Sequence, residues 1–183
     1  MNGRTVFVKL TTIAAVAAIA LSCGRMRPLR YMHPEFPIDT EWGYPGSQAR
    51  MDVTGRIAAS AAIRFDEEEE ILRTVVTLTN VENGSIRVYI GGCPVQLQAF
   101  VNEKAEGMPV WDSFGPDDRR CPVEETFRLL DPREDYWIAL ELAPGRILGD
   151  SLPDGRYYFN AIVRPNGIRM DLPAGDVYLA RAN

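Results

Sequence analysis

From Val53 onward, apolar and polar residues alternate with a period of two, in short stretches separated by turn residues. That is the pattern of strands with one face buried and one face wet. Leu72, Thr74, Val76 and Leu78 share one face, and Arg73, Thr77 and Thr79 the other, with Val75 as the exception. Glu82-Asn83-Gly84 predicts a turn. Ile86, Val88 and Ile90 then alternate with Ser85, Arg87 and Tyr89, so the two runs together predict a hairpin. Further runs begin at Val95, Phe127, Tyr136 and Tyr157, and Val177 and Leu179 close the chain. No stretch of similar length carries a helical period with caps. Counting Ile57 to Phe65 as the first, seven to nine strands are expected, in an immunoglobulin-like antiparallel β-sandwich. The acidic run Asp66 to Glu70 falls between the first two strands. It reads as a solvated tip that discourages edge pairing, because consecutive carboxylates without a glycine turn do not converge on calcium.

The start of the chain follows another rule. Arg4 and Lys9 precede an uncharged run from Leu10 to Leu21, then small Ser22 and Cys23, which is the charged, apolar and small-residue order of an export signal. Twelve residues rise only about 18 Å as a helix, short of a roughly 30 Å hydrocarbon core, so cleavage is expected rather than a permanent span. Ile19-Ala20-Leu21-Ser22-Cys23 resembles the bacterial lipobox, in which the cysteine is acylated and becomes the new N-terminus. Residues 1–22 are therefore read as a lipoprotein signal peptide, 23–52 as the lipidated Cys23 and a Pro-rich tether, and 53–183 as the domain. Several acyl chains would anchor the protein stably where one would be marginal. Arg25, Arg27 and Arg30 start the tether within reach of lipid head groups, although a solvated linker accounts for them as well. In a two-membrane cell the outer membrane, facing the periplasm, is the expected site. Gly24 stands where the inner-membrane retention signal has an acidic residue.

Cleavage would remove two of the 20 basic residues and none of the 25 acidic ones, leaving 161 residues with a net charge of −7. With no basic stripe interleaved with aromatics, nucleic acid is not an expected partner. The size suits one domain. Cys93 and Cys121 are an even pair left over from Cys23, and an oxidising compartment favours a disulfide between them. Closing 28 positions is worth roughly 3–4 kcal/mol in the chain-entropy account. The competing use, zinc binding, lacks neighbouring Cys or His ligands.

Candidate chemistry is sparse. His33 is the sole histidine and lies in the tether beside Pro34, away from any Ser or Cys nucleophile in the domain. Asp112, Asp117, Asp118, Glu124, Glu125, Asp131 and Asp135 supply carboxylates of the kind a glycosidase pairs, but solvated loop charge explains them without a cleft. Gly91-Gly92 precedes no helix and so is not a phosphate loop, and Asn83-Gly84-Ser85 reads as a turn rather than a glycosylation site. Trp42, Trp111 and Trp137 suit packing. No catalytic residue, metal or cofactor is expected.

Several landmarks between Leu72 and Ala161 resemble the intracellular proteinase inhibitor (BsuPI) domain family, an immunoglobulin-like module. They are Val76-Thr77-Leu78-Thr79-Asn80, the apolar segment Ile86 to Ile90, Pro109-Val110-Trp111-Asp112, Leu130-Asp131-Pro132, and Asp154-Gly155-Arg156-Tyr157 opening a late strand. They cover about 90 to 110 residues of the mature chain. In immunoglobulin-like modules a tyrosine at such a place pins a corner. The departures are the export signal, the cysteine pair in an enlarged segment around Gly115 to Asp118, and a lost Pro-Gly turn at Pro132-Arg133. No inhibitory loop with a recognisable reactive bond stands out, and no site residues carry over. The expected function is a lipid-anchored, non-enzymatic interaction or structural module whose partners are the membrane, through Cys23, and another envelope protein. The resemblance implies an envelope proteinase inhibitor as the alternative.

Overall fold

The computed structural model describes residues 31–32, 50–51, 54–115 and 126–181. The long alternating runs form β3 (Ile57–Asp66) and β4 (Ile71–Asn80), joined by the acidic turn, and β9 (Asp135–Leu142) pairs antiparallel on the other side of β4. Alternation is followed except at one position: Leu72, Thr74, Val76 and Leu78 are buried and Arg73, Val75 and Thr79 are partly exposed, but Thr77, expected on the polar face, is buried as well. Two pieces of the segment read as a spacer join this sheet. β1 (Tyr31–Met32) pairs with β9, and β2 (Arg50–Met51) pairs with β3, giving the order β1-β9-β4-β3-β2.

Facing it is a four-stranded sheet in the order β11-β10-β6-β7, built from β6 (Val95–Phe100), β7 (Trp111–Asp112), β10 (Gly155–Val163) and β11 (Met170–Leu179). Pro173 and Gly175 interrupt the polar-apolar rhythm of β11 at a bulge, where Phe159 pairs with Gly175 and Asn160 with Pro173, leaving Ala174 as the extra residue. Gly175 has φ of +116°, a backbone conformation that other residues adopt only with strain, so the bulge favours glycine here. The core between the sheets contains Leu72, Leu78, Leu97, Leu140, Tyr157, Phe159 and Leu172. A single helical turn, α1 (Pro144–Leu148), drops Ile147 and Leu148 into one end of it.

The remaining pair, β5 (Ile86–Ile90) and β8 (Thr126–Leu130), forms a separate two-stranded sheet. Among the described residues there are thus eight strands of five or more residues and three of two, all paired antiparallel: an all-β sandwich. The expected hairpin between β4 and β5 does not form, because β4 pairs with β3 and β9 while β5 pairs with β8. The cause is Asn80. Fully buried, it donates through Nδ2 to the carbonyls of Gly84, Leu130 and Asp131 at 2.9 to 3.0 Å, and its Oδ1 accepts from the Glu82 N–H at 2.9 Å. Asn80 ties the end of β4 to the turn and to the end of β8, so the chain crosses between sheets instead of doubling back.

Candidate functional site

β5 and β6 are two alternating runs, out of phase with each other, separated by Gly91-Gly92-Cys93-Pro94. Proline supplies no ladder donor and glycine weakens a strand, so pairing stops there. At the break the sandwich opens into a concavity of about 360 Å³ whose lining includes Leu78, Ile90, Cys93, Phe114, Ile138 and Arg164. The Tyr89 N–H donates to Asn166 Oδ1 at 2.8 Å, which fastens β5 to the turn after β10. Cys93 is half-buried at this rim. Cys23 and Cys121, with Trp42, His33, Asp117, Asp118, Glu124 and Glu125, lie outside the described residues.

Beside the concavity, the outward face of the two-stranded sheet carries Arg87 and Tyr89 of β5 opposite Leu129 and Phe127 of β8. The run expected to begin with Phe127 and Leu129 is indeed a strand, but these two residues are 55% and 61% exposed, while Leu130 next to them is buried. The Arg87 guanidinium stands 4.9 Å from the centre of the Phe127 ring, and the Tyr89 and Phe127 rings are 6.1 Å apart. Arg128 lies over Tyr136 in the same manner at 5.6 Å. Exposed aromatics held beneath guanidinium groups form a stiff surface with both apolar and cationic character.

The candidate carboxylates hold neighbours in place. Asp112 accepts from Gln96 Nε2 on both oxygens, from Gln98 Nε2 at 2.8 Å and from the Phe114 N–H at 2.8 Å. Asp131 accepts from Ser85 Oγ at 2.7 Å, and Asp135 from Thr79 Oγ1 at 2.6 Å. At the acidic turn, Asp66 Oδ1 accepts from the Glu68 and Glu69 N–H groups, and Arg73 bridges Glu69 and Glu141 at 3.0 and 2.9 Å. Among the described residues no group of three or more His, Cys, Asp or Glu is arranged to hold a metal ion. None of the described helices is long and apolar enough to cross a membrane.

Two titrating sites stand out. Tyr157 is buried except near its hydroxyl, which donates to the Pro153 carbonyl at 2.6 Å. Burial, and then the Asp154 charge, push its pKa above the usual phenol value. This is the corner contact that a tyrosine makes in immunoglobulin-like modules. On the outer face of the four-stranded sheet, the hydrogen bonds from Arg169 hold the Asp171 carboxyl below its usual range. The Asn80 bridge and the exposed β5–β8 face are the features that local alternation does not announce. A signal for the second existed in Tyr89, Arg87, Phe127 and Leu129, which only the strand pairing brings together.

No family model matches the chain, and no curated protein matches it. Among solved structures it is similar to the protein designated ApaA from Bordetella pertussis, at 15% identity over 69% of this chain and 94% of that one, with a TM-score of 0.34. An overlap of that size fixes neither fold nor chemistry.

Proposed function

We propose that the chain is a lipid-anchored envelope protein whose β-sandwich is a non-enzymatic interaction module, with the outward face of β5 and β8 as its contact surface. The observation that carries this reading is the cluster of Arg87, Tyr89, Phe127 and Leu129, side chains of the kind that dominate protein contacts, exposed on a sheet with a concavity beside it. The anchor reading rests on the residues that end at Cys23. The disulfide between Cys93 and Cys121 rests on their being the two cysteines left once Cys23 is spent on lipid. Kinship with the BsuPI family is supported by the Tyr157 corner and remains part of the proposal.

The test uses the full chain in its own envelope. Cys23→Ala is expected to abolish acyl incorporation and release the protein from the membrane, and a photoreactive residue at Phe127 is expected to cross-link one envelope protein that the same residue at Glu103 does not. Acyl label on the Cys23→Ala protein refutes the anchor, and equal cross-linking at both positions refutes the surface.

One observation favours the inhibitor alternative. Between β6 and β7 a loop presents Met108, 90% exposed, and is braced by Asn102, which bonds Glu106 through both its Nδ2 and its Oδ1. Inhibition of a panel of envelope proteases by the purified protein, lost on Met108→Ala, is the outcome that reading requires.

A further inference from the structure

The direction in which the chain enters the five-stranded sheet fixes how an anchored domain must stand on the membrane. β1 runs antiparallel to β9, with Tyr31 opposite Leu140 and Met32 opposite Ala139. Tracing back from Tyr31 toward Cys23, the strand therefore points along β9 toward Leu142 and α1. That end of the sheet also holds the β3–β4 turn, because Leu72 faces Leu142 and Asp66 faces Ile71. The second sheet shares the same end: Arg181 bonds Asp154 and Leu152 there, and a depression of about 520 Å³ is lined by Phe65, Glu67, Pro144, Gly149 and Arg181 from both sheets. β6 runs toward this end as well, since Phe100 pairs with Tyr158 and Val95 with Val163, so the loop carrying Met108 projects from it.

Reach decides between the two ends. Eight residue steps separate Cys23 from Tyr31, a span of at most about 28 Å. Leu142 lies only two residues from Leu140 along β9, or about 7 Å, whereas Asp135 at the opposite end lies five residues away, or about 17 Å. Presenting the opposite end to the bilayer would require the chain to reverse at Tyr31 and use more than half of its length running back.

We infer that the end bearing α1 and the Asp66–Glu70 turn faces the lipid surface, and that the end bearing Asn80 to Gly84 and the turn at Pro165 to Gly167 faces away. The inference rests on the proposed anchor at Cys23 and adds orientation to it. Asn166 fastens β5 at the outer end, so this part of the β5–β8 sheet is held away from the lipid. The Met108 loop is turned toward the lipid.

The two ends are separated by the ten residues of β4, roughly 33 Å. A fluorescent non-natural residue placed at Glu68 in one variant and at Asn83 in another reports on them, and both positions are exposed turns that tolerate a label. The acylated full chain is reconstituted into vesicles of phosphatidylethanolamine and phosphatidylglycerol that carry a quencher on their head groups. Quenching several-fold stronger at 68 than at 83 is expected. Inserting a flexible Gly-Ser stretch of about 15 residues after Arg30 should erase the difference by freeing the domain to tumble. Equal quenching at the two positions, or stronger quenching at 83, overturns the orientation, as does a difference that survives the insertion. Mass spectrometry of the same sample separates the two failures: no acyl chain on Cys23 overturns the anchor and the orientation with it, while an acylated protein quenched the wrong way overturns the orientation alone.

Discussion

The β3–β4–β9 sheet and the β5–β8 sheet are built from similar alternating sequence, yet they spend their apolar residues in opposite ways. In the first, one apolar set, including Leu72, Val76, Leu78, Ile138 and Leu140, is buried, and the outer face mixes Arg73, Thr79 and Glu141 with the partly buried Val75 and Trp137. In the second, Ile86, Val88 and Ile90 turn inward as the pattern asks, but Phe127 and Leu129 turn out beside Tyr89. Period two determines that successive side chains alternate; which side becomes the inside depends on what each strand pairs with. β4 has a partner on both edges and a sheet stacked over it, whereas the only paired neighbour of β8 among the described residues is β5.

The widest test of that contrast compares two phenylalanines. Phe159→Ala, which empties a fully buried site, should lower unfolding stability by about 3–5 kcal/mol. Phe127→Ala should cost under about 1 kcal/mol, the loss of an exposed ring beneath Arg87. Urea unfolding midpoints measure both, and comparable losses would mean that the outward face belongs to the core.

Next in size is the junction between the two regions. Asn80→Ala strips donors from three carbonyls at a buried corner and should cost about 2–3 kcal/mol. Hydrogen exchange should show protection lost at the ends of β4 and β8 before β10. Uniform loss would instead assign Asn80 an ordinary packing role.

The smallest effect has the opposite sign. Thr74, on the same strand, buries an Oγ1 that has no hydrogen-bond partner, so Thr74→Val should raise stability by roughly 1 kcal/mol, read as a higher melting temperature. A loss would reveal a partner for that hydroxyl. The two residues separate a buried polar group that organises the fold from one that only costs it.

Much of the sandwich was legible because runs such as Leu72 to Leu78 and Tyr157 to Val163 obey one local rule over many residues. The β4–β5 connection was misread for a physical reason. Asn-Gly satisfies the local geometry of a tight hairpin, but the decisive bonds of Asn80 reach Leu130 and Asp131, which are 50 and 51 residues away. Pro173 and Gly175, discouraging in isolation, are accommodated by a bulge that depends on Phe159 and Asn160 across the ladder. Similarly, nothing between Gly24 and Asp52 has an apolar period: Tyr31 pairs with Leu140 far along the chain, while Arg50 pairs with Ala59, close by but without an alternating run of its own to mark it. The candidate surface is a cross-strand combination, so its four residues were visible singly but not as a group.

Those two short pairings bear on how the protein avoids its own kind. A β-sheet ends in a row of unused backbone donors and acceptors that invites another sheet to add on. Here both flanks of the five-stranded sheet are partly occupied, β9 near its middle by β1 and β3 near its start by β2, both donated from the segment ahead of the sandwich. A chain begun at residue 53 would leave the flanks of β3 and β9 open, with the alanine-rich Ala58-Ala59 and the apolar Ala139-Leu140 unguarded. The segment ahead of the sandwich therefore doubles as protection against templated aggregation, and trimming it for convenience would remove a safeguard.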